Sequence, residues 1–265
     1  MAHNVSAFIL TQNNETTIGE CLESVQWCDE IVVIDSFSTD ATLDIVARYP
    51  KARVHQHAYT TAAEQRIWGM PHVTTEWVFI IDSDEACTPP LAARLQQILA
   101  QERIEPDGYV VSMRTRFLGR QMKQLDYLSS RGKRLVLTSV ATRYKQNSRV
   151  HAKIQLDRLA RLPDRYRMIH NPIRSMQQHL AKMTRYASWQ AQDMHDRGKT
   201  AHWWHFTLRP MYKFFHYYVI LGQFKDGVRG LILSMLAGWS IFLKYLLLLE
   251  LQHCPPPEAT DAKKE

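Results

Sequence analysis

The sequence predicts an α/β domain with a parallel sheet, followed by a helical C-terminal extension. Over the first hundred residues, short apolar segments rich in β-branched residues alternate with helical patterns, which is typical of right-handed βαβ units. One apolar segment, 77–81, runs directly into three carboxylates within four residues. Towards the C-terminus, a stretch rich in aromatic and basic residues precedes a long apolar run. These three observations set the expected order of elements.

The predicted elements follow one another closely along the chain. We predict strands over 5–10, 31–34, 52–55, 77–81 and 108–113, and helices over 18–25, 41–47, 61–70 and 175–197. Thr17 is expected to cap the first helix, because Glu20 stands at the capping-box position. Since parallel strands deliver their following loops to one edge of a sheet, polar loops should meet there.

The centre of the predicted site is the sequence Asp82-Ser83-Asp84-Glu85, which follows a buried strand. Carboxylates held together on a turn repel each other unless a cation lies between them. Hard oxygen ligands suit Mn²⁺ or Mg²⁺, which also bind substrate phosphates. We therefore predict a metal site here. The alternative is a polar strand end, with an Asp that caps the helix before Pro89-Pro90.

No glycine-rich phosphate loop follows the first strand, so a nucleotide site must depend on side chains. Asp35 ends the second predicted strand and is suited to accept a hydrogen bond from a base or ribose. Thr11 and Asn13, after the first strand, are expected to frame the same pocket.

Charge divides the chain into an acidic and a basic part. Residues 1–100 contain 5 Lys/Arg and 13 Asp/Glu, whereas residues 101–265 contain 28 and 13. The basic part should meet an anion, and its aromatic residues favour a membrane surface over nucleic acid. The four cysteines show no zinc-binding spacing and are expected to be reduced thiols of a cytosolic protein. The N-terminus shows no secretory signal.

Three motifs resemble the family 2 glycosyltransferases. They are Val32-Val33-Ile34-Asp35-Ser36-Phe37-Ser38-Thr39-Asp40, Ala63-Glu64-Gln65-Arg66 and Phe79-Ile80-Ile81-Asp82-Ser83-Asp84-Glu85. Within the family, the chain is most similar to the branch that adds a hexose to the inner core of lipopolysaccharide or lipooligosaccharide. This resemblance extends nearly end to end and implies a GT-A fold, a nucleotide-sugar donor and inversion at the anomeric carbon.

The resemblance also implies roles for individual residues. Thr11, Asn13 and Glu15 would line the donor pocket, with Asp35 at the uracil-type base and Arg66 at the base or the diphosphate. Asp82 would meet the ribose and lie beside the metal. Asp84 would bind the metal, and His170 matches a late histidine beside it. For His170 alone, a structural role at a strand end is the alternative.

The general base is the point at which the sequence departs from the branch. Inverting transfer needs a base that takes a proton from the acceptor hydroxyl. The branch has a Glu where this chain has Ala152, which cannot act as a base. Asp126 and His151 are the candidate replacements; a weakened enzyme is the other explanation. The basic residues between 131 and 149 either form a solvated face or bind an anionic group such as the diphosphate.

The C-terminal pattern predicts membrane-surface helices. Trp and Tyr mixed with Lys, Arg and His over 203–218 suit the headgroup region of a bilayer. The run 231–243 has 13 residues without charge, and Lys244 interrupts it before 245–249. Thirteen residues reach about 20 Å, short of the roughly 30 Å hydrocarbon core, whereas counting through Lys244 gives a segment long enough to span. The pattern favours helices in the interface or packed in a dimer over a spanning helix.

Together these observations give the functional hypothesis. We expect a glycosyltransferase domain over 1–200, a helical extension over 201–253 and a disordered tail over 254–265. The enzyme would transfer a hexose from a nucleotide diphosphate sugar, with a UDP-sugar favoured, to a lipid-linked glycan such as the lipopolysaccharide core. It would use Mn²⁺ or Mg²⁺ at the cytoplasmic face of the inner membrane, as a peripheral protein and without nucleic acid. The alternatives are a sugar transferase acting on polyprenyl phosphate and a catalytically silent sugar-nucleotide-binding protein.

Overall fold

The structure is a computed structural model that describes residues 3–124, 128, 131–141, 144–146, 152–154, 156–173 and 175–254. The chain divides into two compact units. The first contains Met1–Thr115 and Ser129–Pro172, and the second contains Arg116–Leu128 and Ile173–Glu265. The expected boundary near residue 200 separates a catalytic domain from an extension. It stays a prediction, because the two units are defined by their internal contacts and not by function. The expected disordered tail lies outside the described residues apart from Cys254.

The strands begin close to the N-terminus and end before the long helices. They are β1 (Val5–Thr11), β2 (Glu30–Asp35), β3 (Ala52–Gln56), β4 (Trp77–Asp82), β5 (Glu85–Cys87), β6 (Gly108–Phe117), β7 (Arg120–Gln121), β8 (Arg131–Leu137), β9 (Tyr144–Gln146), β10 (Ala152–Ile154), β11 (Leu159–Arg161) and β12 (Arg167–His170). Every strand predicted from the sequence is present.

The helices of the first unit are short, and those of the second include two long ones. They are α1 (Ile18–Ser24), α2 (Thr42–Val46), α3 (Ala62–Gly69), α4 (Pro89–Leu99), α5 (Thr138–Ala141), α6 (Met176–Asp196), α7 (Trp203–Phe206), α8 (Leu208–Phe215) and α9 (Val228–His253). Short 3₁₀ turns cover Met70–His72 and Gln223–Asp226, and a π-helical turn covers His216–Ile220.

The main sheet has the strand order β3-β2-β1-β4-β8-β6-β12-β5. The first four strands, β1 to β4, are parallel, as predicted, whereas β8 runs antiparallel to both β4 and β6. The strands are apolar because both faces of the sheet are covered. Along β1, Ala7 and Ile9 join the core on one face and Phe8 joins the core on the other.

The expected cap of α1 is wrong, and the alternative interpretation of Asp-x-Asp as a helix cap is excluded. Thr17 occupies the N-cap of α1, but its side chain makes no capping hydrogen bond. Helix α4 is preceded by Thr88 and not by an Asp, so the Asp-x-Asp sequence is not a helix cap. Instead, β4 ends at Asp82, the chain turns at Ser83 and Asp84, and β5 begins at Glu85. The carboxylates therefore lie on a turn, as predicted.

In the second unit, α6 and α8 pack on α9. The apolar run and Lys244 belong to this one helix, whose 26 residues are long and apolar enough to cross a membrane. Only 33% of its most apolar 18-residue window is buried. Core helices of soluble proteins can have the same length and composition. The four cysteine thiols are free, as predicted, with Cys21, Cys28 and Cys87 buried and Cys254 exposed.

Candidate active site

The register of the parallel strands brings three predicted site residues to one edge of the sheet. Thr11, the last residue of β1, lies opposite Asp35, the last residue of β2. On the other side of β1, Leu10 lies opposite Asp82, the last residue of β4. Ligands bind at the carboxyl ends of strands in open α/β sheets. Thr11, Asp35 and Asp82 thus end three neighbouring strands at such an edge.

Asp35 is completely buried and holds the loop that follows β2. Its carboxylate accepts hydrogen bonds from the backbone N–H of Ser38 (3.0 Å), the Ser38 hydroxyl (2.5 Å) and the side-chain amide of Gln56 (3.0 Å). The Ser38 N–H also lies 3.3 Å from Oδ1, so each carboxylate oxygen receives two of these contacts. A carboxylate has about four acceptor positions, so a ligand that bonds to Asp35 would replace one of the present donors. Phe37, within this loop, has a φ of +56° and is 55% exposed beside the buried carboxylate.

Asn13 and Glu15 join the loop after β1 to the loop after β2. Asn13 accepts a 2.8 Å hydrogen bond from the backbone N–H of Thr39, and Glu15 accepts one of 3.0 Å from Ala41. Asn13 has a φ of +51°, a conformation that Asn adopts more readily than most residues. The Thr11 hydroxyl is buried and has no hydrogen-bond partner in the described part of the chain. This hydroxyl remains available to a ligand or a water molecule.

Asp82 lies between two arginines. Arg66, on α3, donates to it at 3.0 Å, and an Nη atom of Arg134, on β8, lies 3.8 Å away. Burial by itself would raise the pKa of Asp82, but the charges of Arg66 and Arg134 hold that pKa below its ordinary value. Asp82 is therefore an ionised carboxylate whose charge is already balanced by guanidinium groups.

Arg134 also binds Glu85, the third carboxylate of the motif. Its Nη2 donates to Glu85 Oε1 at 2.5 Å, while Glu85 Oε2 accepts a 2.9 Å hydrogen bond from the backbone N–H of Asp82. Burial raises the pKa of Glu85 to about 7, Arg134 opposes that rise, and the charge of Asp82 adds to it. For Arg134, the expectation of a solvated basic face is wrong, because its side chain is buried and pairs with Glu85. Sequence analysis assigned no individual role to Glu85. The available signal is the position of Arg134 two residues before Val136, which puts both side chains on the same face of β8 in an apolar segment.

The remaining carboxylate, Asp84, meets His170. Strand β12 pairs with β5, so that His170 lies opposite Glu85, and His170 Nε2 is 3.5 Å from Asp84 Oδ2. The backbone N–H of Asn171 donates to the carbonyl of Asp84 at 2.7 Å. Burial lowers the pKa of His170, but its hydrogen bond and charge interaction with Asp84 outweigh burial and raise it. The structure thus brings Asp84 and His170 together from distant parts of the sequence.

The donor atoms here fit a divalent cation that is only partly held by protein. Asp84 offers carboxylate oxygens and His170 a ring nitrogen, and the Nδ1 atom of His170 is buried without a hydrogen-bond partner in the described residues. Within those residues, no group of three or more His, Cys, Asp or Glu side chains is arranged to hold a metal. Mn²⁺ and Mg²⁺ often use one or two protein ligands together with substrate phosphates and water.

The predicted base position lies in a separate two-stranded sheet. Ala152 begins β10 and pairs with Gln146 of β9 in an antiparallel ladder. The two candidate replacements, Asp126 and His151, lie outside the described residues. The identity of the general base therefore stays a prediction.

Comparison with known proteins relates this chain to a known family. A family model described as glycosyl transferase family 2 matches residues 6–154. The lipopolysaccharide core biosynthesis glycosyltransferase LpsC of Rhizobium meliloti is 27% identical over 243 residues, covering 90% of this chain and 89% of LpsC. An uncharacterised glycosyltransferase of Rickettsia conorii is 24% identical over 258 residues, covering 94% and 91%.

Solved structures agree on the fold. S. aureus TarS 1–349 superposes with a TM-score of 0.50 at 16% identity, covering 94% of this chain and 91% of TarS. The same protein in complex with UDP-GlcNAc gives a TM-score of 0.51 at 15% identity. The expected GT-A fold is therefore confirmed, and because the family model covers more than half of its length, the chain belongs to glycosyl transferase family 2.

Proposed function

We propose that this enzyme transfers a hexose from a UDP-sugar, with inversion, to a hydroxyl of a lipid-linked glycan such as the lipopolysaccharide core. The observation that carries the proposal is the register that aligns Thr11, Asp35 and Asp82 at one sheet edge, beside Asp84 and His170. The similarity to LpsC supports the lipopolysaccharide acceptor. The TarS complex with UDP-GlcNAc supports a UDP-sugar donor for this fold.

The nucleoside would occupy the Asp35 end of the edge. The buried carboxylate of Asp35 accepts the N–H of a uracil base in place of one of its present donors, and Thr11, Asn13 and Glu15 shape the pocket around it. Asp82 binds the ribose hydroxyls. Arg66 forms an ion pair with Asp82, and its other N–H groups would donate hydrogen bonds to the diphosphate. The planar guanidinium suits paired phosphate oxygens.

The diphosphate would lie at the Asp84 end. Asp84 and His170 would hold Mn²⁺ or Mg²⁺, with Asp82 beside them. When bound, the ion stabilises the negative charge that develops on the leaving diphosphate. Asp84 is free to serve as a ligand because, among the carboxylates of the motif, Asp82 and Glu85 are already paired with arginines.

Ala152 favours one alternative reaction. A polyprenyl phosphate acceptor attacks through an oxygen that is already anionic, so no protein base is required. An enzyme with Ala152 at the base position could then be fully active. In either reaction we place the enzyme at the cytoplasmic face of the inner membrane, bound peripherally through its C-terminal helices, with a homodimer as a further arrangement.

Calorimetry of UDP binding with and without Mn²⁺ tests the donor site. We expect Mn²⁺ to strengthen UDP binding in the wild-type protein, and Asp84→Ala to remove that enhancement. His170→Ala should reduce it. The matched control is Asp164→Asn, a half-exposed carboxylate of the same unit that pairs with Arg131, and it should leave the enhancement intact. Enhancement that survives unchanged in Asp84→Ala contradicts the proposed metal ligand.

Competition between acceptors then tests the reaction. With a UDP-hexose donor, transfer to lipopolysaccharide lacking its outer sugars supports the hydroxyl acceptor, whereas transfer to polyprenyl phosphate alone supports the alternative. If the protein binds UDP but neither transfers the sugar nor hydrolyses the donor, the result supports the catalytically silent sugar-nucleotide-binding protein.

A further inference from the structure

The contact between α8 and α9 in the second unit separates two grooves of opposite character. The two helices approach closely at Gly238, where a Cβ atom would lie only 3.0 Å from the carbonyl oxygen of Pro210. On one side of this contact the groove is apolar, and on the other side it is basic. Both grooves are lined by the same two helices.

The apolar groove has a volume of about 830 Å³. Its lining includes Met211, Phe214, Phe215, Met235, Trp239 and Phe242. Several of these side chains face solvent: Met211 is 67% exposed, Met235 is 58% exposed and Trp239 is 47% exposed. A contiguous apolar surface of this kind on a folded protein marks a place where another molecule binds.

The basic groove has a volume of about 410 Å³ and is lined by Arg209, Lys213 and Lys244, together with Tyr212 and Tyr245. Arg209 donates a hydrogen bond to the Tyr245 hydroxyl, and Lys244 lies 5.1 Å from the centre of the Tyr245 ring. None of the three cations forms an ion pair with a carboxylate in the described residues.

Electrostatics make this groove a receptor for an anion. Helix α8 contains no acidic residue, and α9 contains only Glu250, which does not line the groove. Burial lowers the pKa of Lys244, and the neighbouring charges of Arg209, Lys213 and Lys199 lower it further. A bound phosphate would relieve this repulsion, because a nearby opposite charge favours the charged form of a lysine. Arginine supplies the paired donors that suit phosphate oxygens.

We propose, on the basis of the peripheral attachment proposed above, that the α8–α9 pair is a binding site for an anionic phospholipid of a bilayer surface. The headgroup phosphate lies in the basic groove between Arg209, Lys213 and Lys244. The apolar groove on the other side of the contact, beside Met235 and Trp239, takes an acyl chain of the same bilayer. Basic and apolar surfaces on opposite sides of one helix pair match the headgroup and acyl layers of a bilayer, whereas a soluble anion would use only the basic surface. Tyr and Trp at this boundary match the preference of these residues for the bilayer interface.

Vesicle sedimentation of the full chain tests the headgroup site. Vesicles of phosphatidylcholine alone are compared with vesicles that also contain phosphatidylglycerol. Each basic residue near an anionic surface is worth about 5-fold in affinity, so Lys213→Gln combined with Lys244→Gln should weaken binding to the anionic vesicles by about 30-fold. The matched control removes the same charge from exposed positions of the same unit, with Lys182→Gln and Lys225→Gln, and should weaken binding much less.

Quenching by phospholipids with brominated acyl chains tests the acyl groove. Trp239→Phe should lose a measurable part of the tryptophan quenching, whereas Trp189→Phe, which changes an exposed tryptophan of α6, should not. Point variants keep the contact between α6 and α9, which a truncation before α9 would remove.

Three outcomes overturn the proposal. The first is equal binding of wild type and the double variant to anionic vesicles. The second is a weaker affinity of the double variant for UDP, which would assign the basic groove to the nucleotide. The third is a wild-type dimer in which Trp239 is not quenched by lipid and which dissociates when Trp239 is replaced by Phe. That result would assign the apolar groove to a second copy of the chain.

Discussion

Arg134 Nη2 lies 2.5 Å from Glu85 Oε1, beneath the turn that carries Asp82 and Asp84. The side chains of Arg134 and Glu85 are only 8% and 2% exposed, so both charges are removed from water. Such a pair adds little net stability compared with an apolar pair, but removing one partner leaves the other buried and uncompensated. Arg134 thus neutralises Glu85 and Asp82 from inside the protein and leaves Asp84, which pairs with His170, for a ligand.

Arg134→Met should therefore destabilise the protein by about 3–5 kcal/mol at pH 8. The pKa of Glu85 is already raised to about 7, and loss of the cation raises it further. Glu85 must then be protonated in the folded variant. Its protonation does not lower the free energy of unfolding below the unfolded-state pKa near 4.5, but lowers it increasingly as the pH rises above that value. Denaturant unfolding at pH 5 and pH 8, without added metal, measures the difference.

Arg131→Met is the matched control for that experiment. Arg131 lies on the same strand but is 41% exposed and pairs with Asp164 at 3.2 Å, so its loss should cost about 1 kcal/mol or less at both pH values. Equal destabilisation by the two substitutions would show that Arg134 does not compensate a buried charge.

Gly230→Ala should destabilise the second unit. A Cβ at this position would lie 1.9 Å from the backbone carbonyl oxygen of Gln223, so α9 or the turn at Gln223–Asp226 must shift. Overpacking of this kind typically costs about 1–3 kcal/mol. Gly19→Ala, where the nearest atom would be the Ile45 side chain at 3.7 Å, should be neutral or stabilising by up to about 1 kcal/mol. Thermal unfolding followed by circular dichroism compares them, and a wild-type melting temperature for Gly230→Ala would contradict the expected clash.

Arg158→Gln should lower stability in a manner that depends on pH. The hydrogen bond from Arg158, at 2.6 Å, lowers the pKa of Asp107 below its ordinary value of 3.8. A lowered carboxyl pKa gives stability that is fully present above the unfolded pKa and is lost as the pH falls through the folded pKa. The difference in stability between wild type and variant should thus stay constant from pH 7 to pH 5 and shrink below about 3.8. A difference that persists unchanged at the lowest pH would assign the effect to packing.

Ala152→Glu should increase transfer to a hydroxyl acceptor by about 10²–10⁴-fold, because the resembling branch has its general base at this position. Donor affinity should remain nearly unchanged, because the base acts on the attacking hydroxyl. Single-turnover transfer across pH provides the measurement. A substantial wild-type rate that Ala152→Glu leaves unchanged and Asp126→Asn abolishes would assign the base to Asp126.

The parallel half of the sheet could be predicted from the sequence because its strands are buried on both faces and end in recognisable polar residues. The turn at Asp82 and Asp84 was predictable for the same reason. The pairing of Arg134 with Glu85 was not, since it depends on β8 lying antiparallel to β4, and nothing local in the sequence specifies that neighbour. The role of His170 was available only through the family resemblance, because the contact with Asp84 depends on the register of β12 against β5.

On the ribosome, β5 emerges long before β12, its partner in the described sheet. Until then its backbone N–H and C=O groups form an unpaired edge, which is the kind of surface on which nascent chains associate wrongly. The segment matched by the family model ends at residue 154, before β12 begins at Arg167. A chain shortened to that segment would leave this edge open permanently. Substitutions that delay the docking of β12 should consequently reduce the yield of soluble protein more than they reduce the melting temperature of the molecules that do fold.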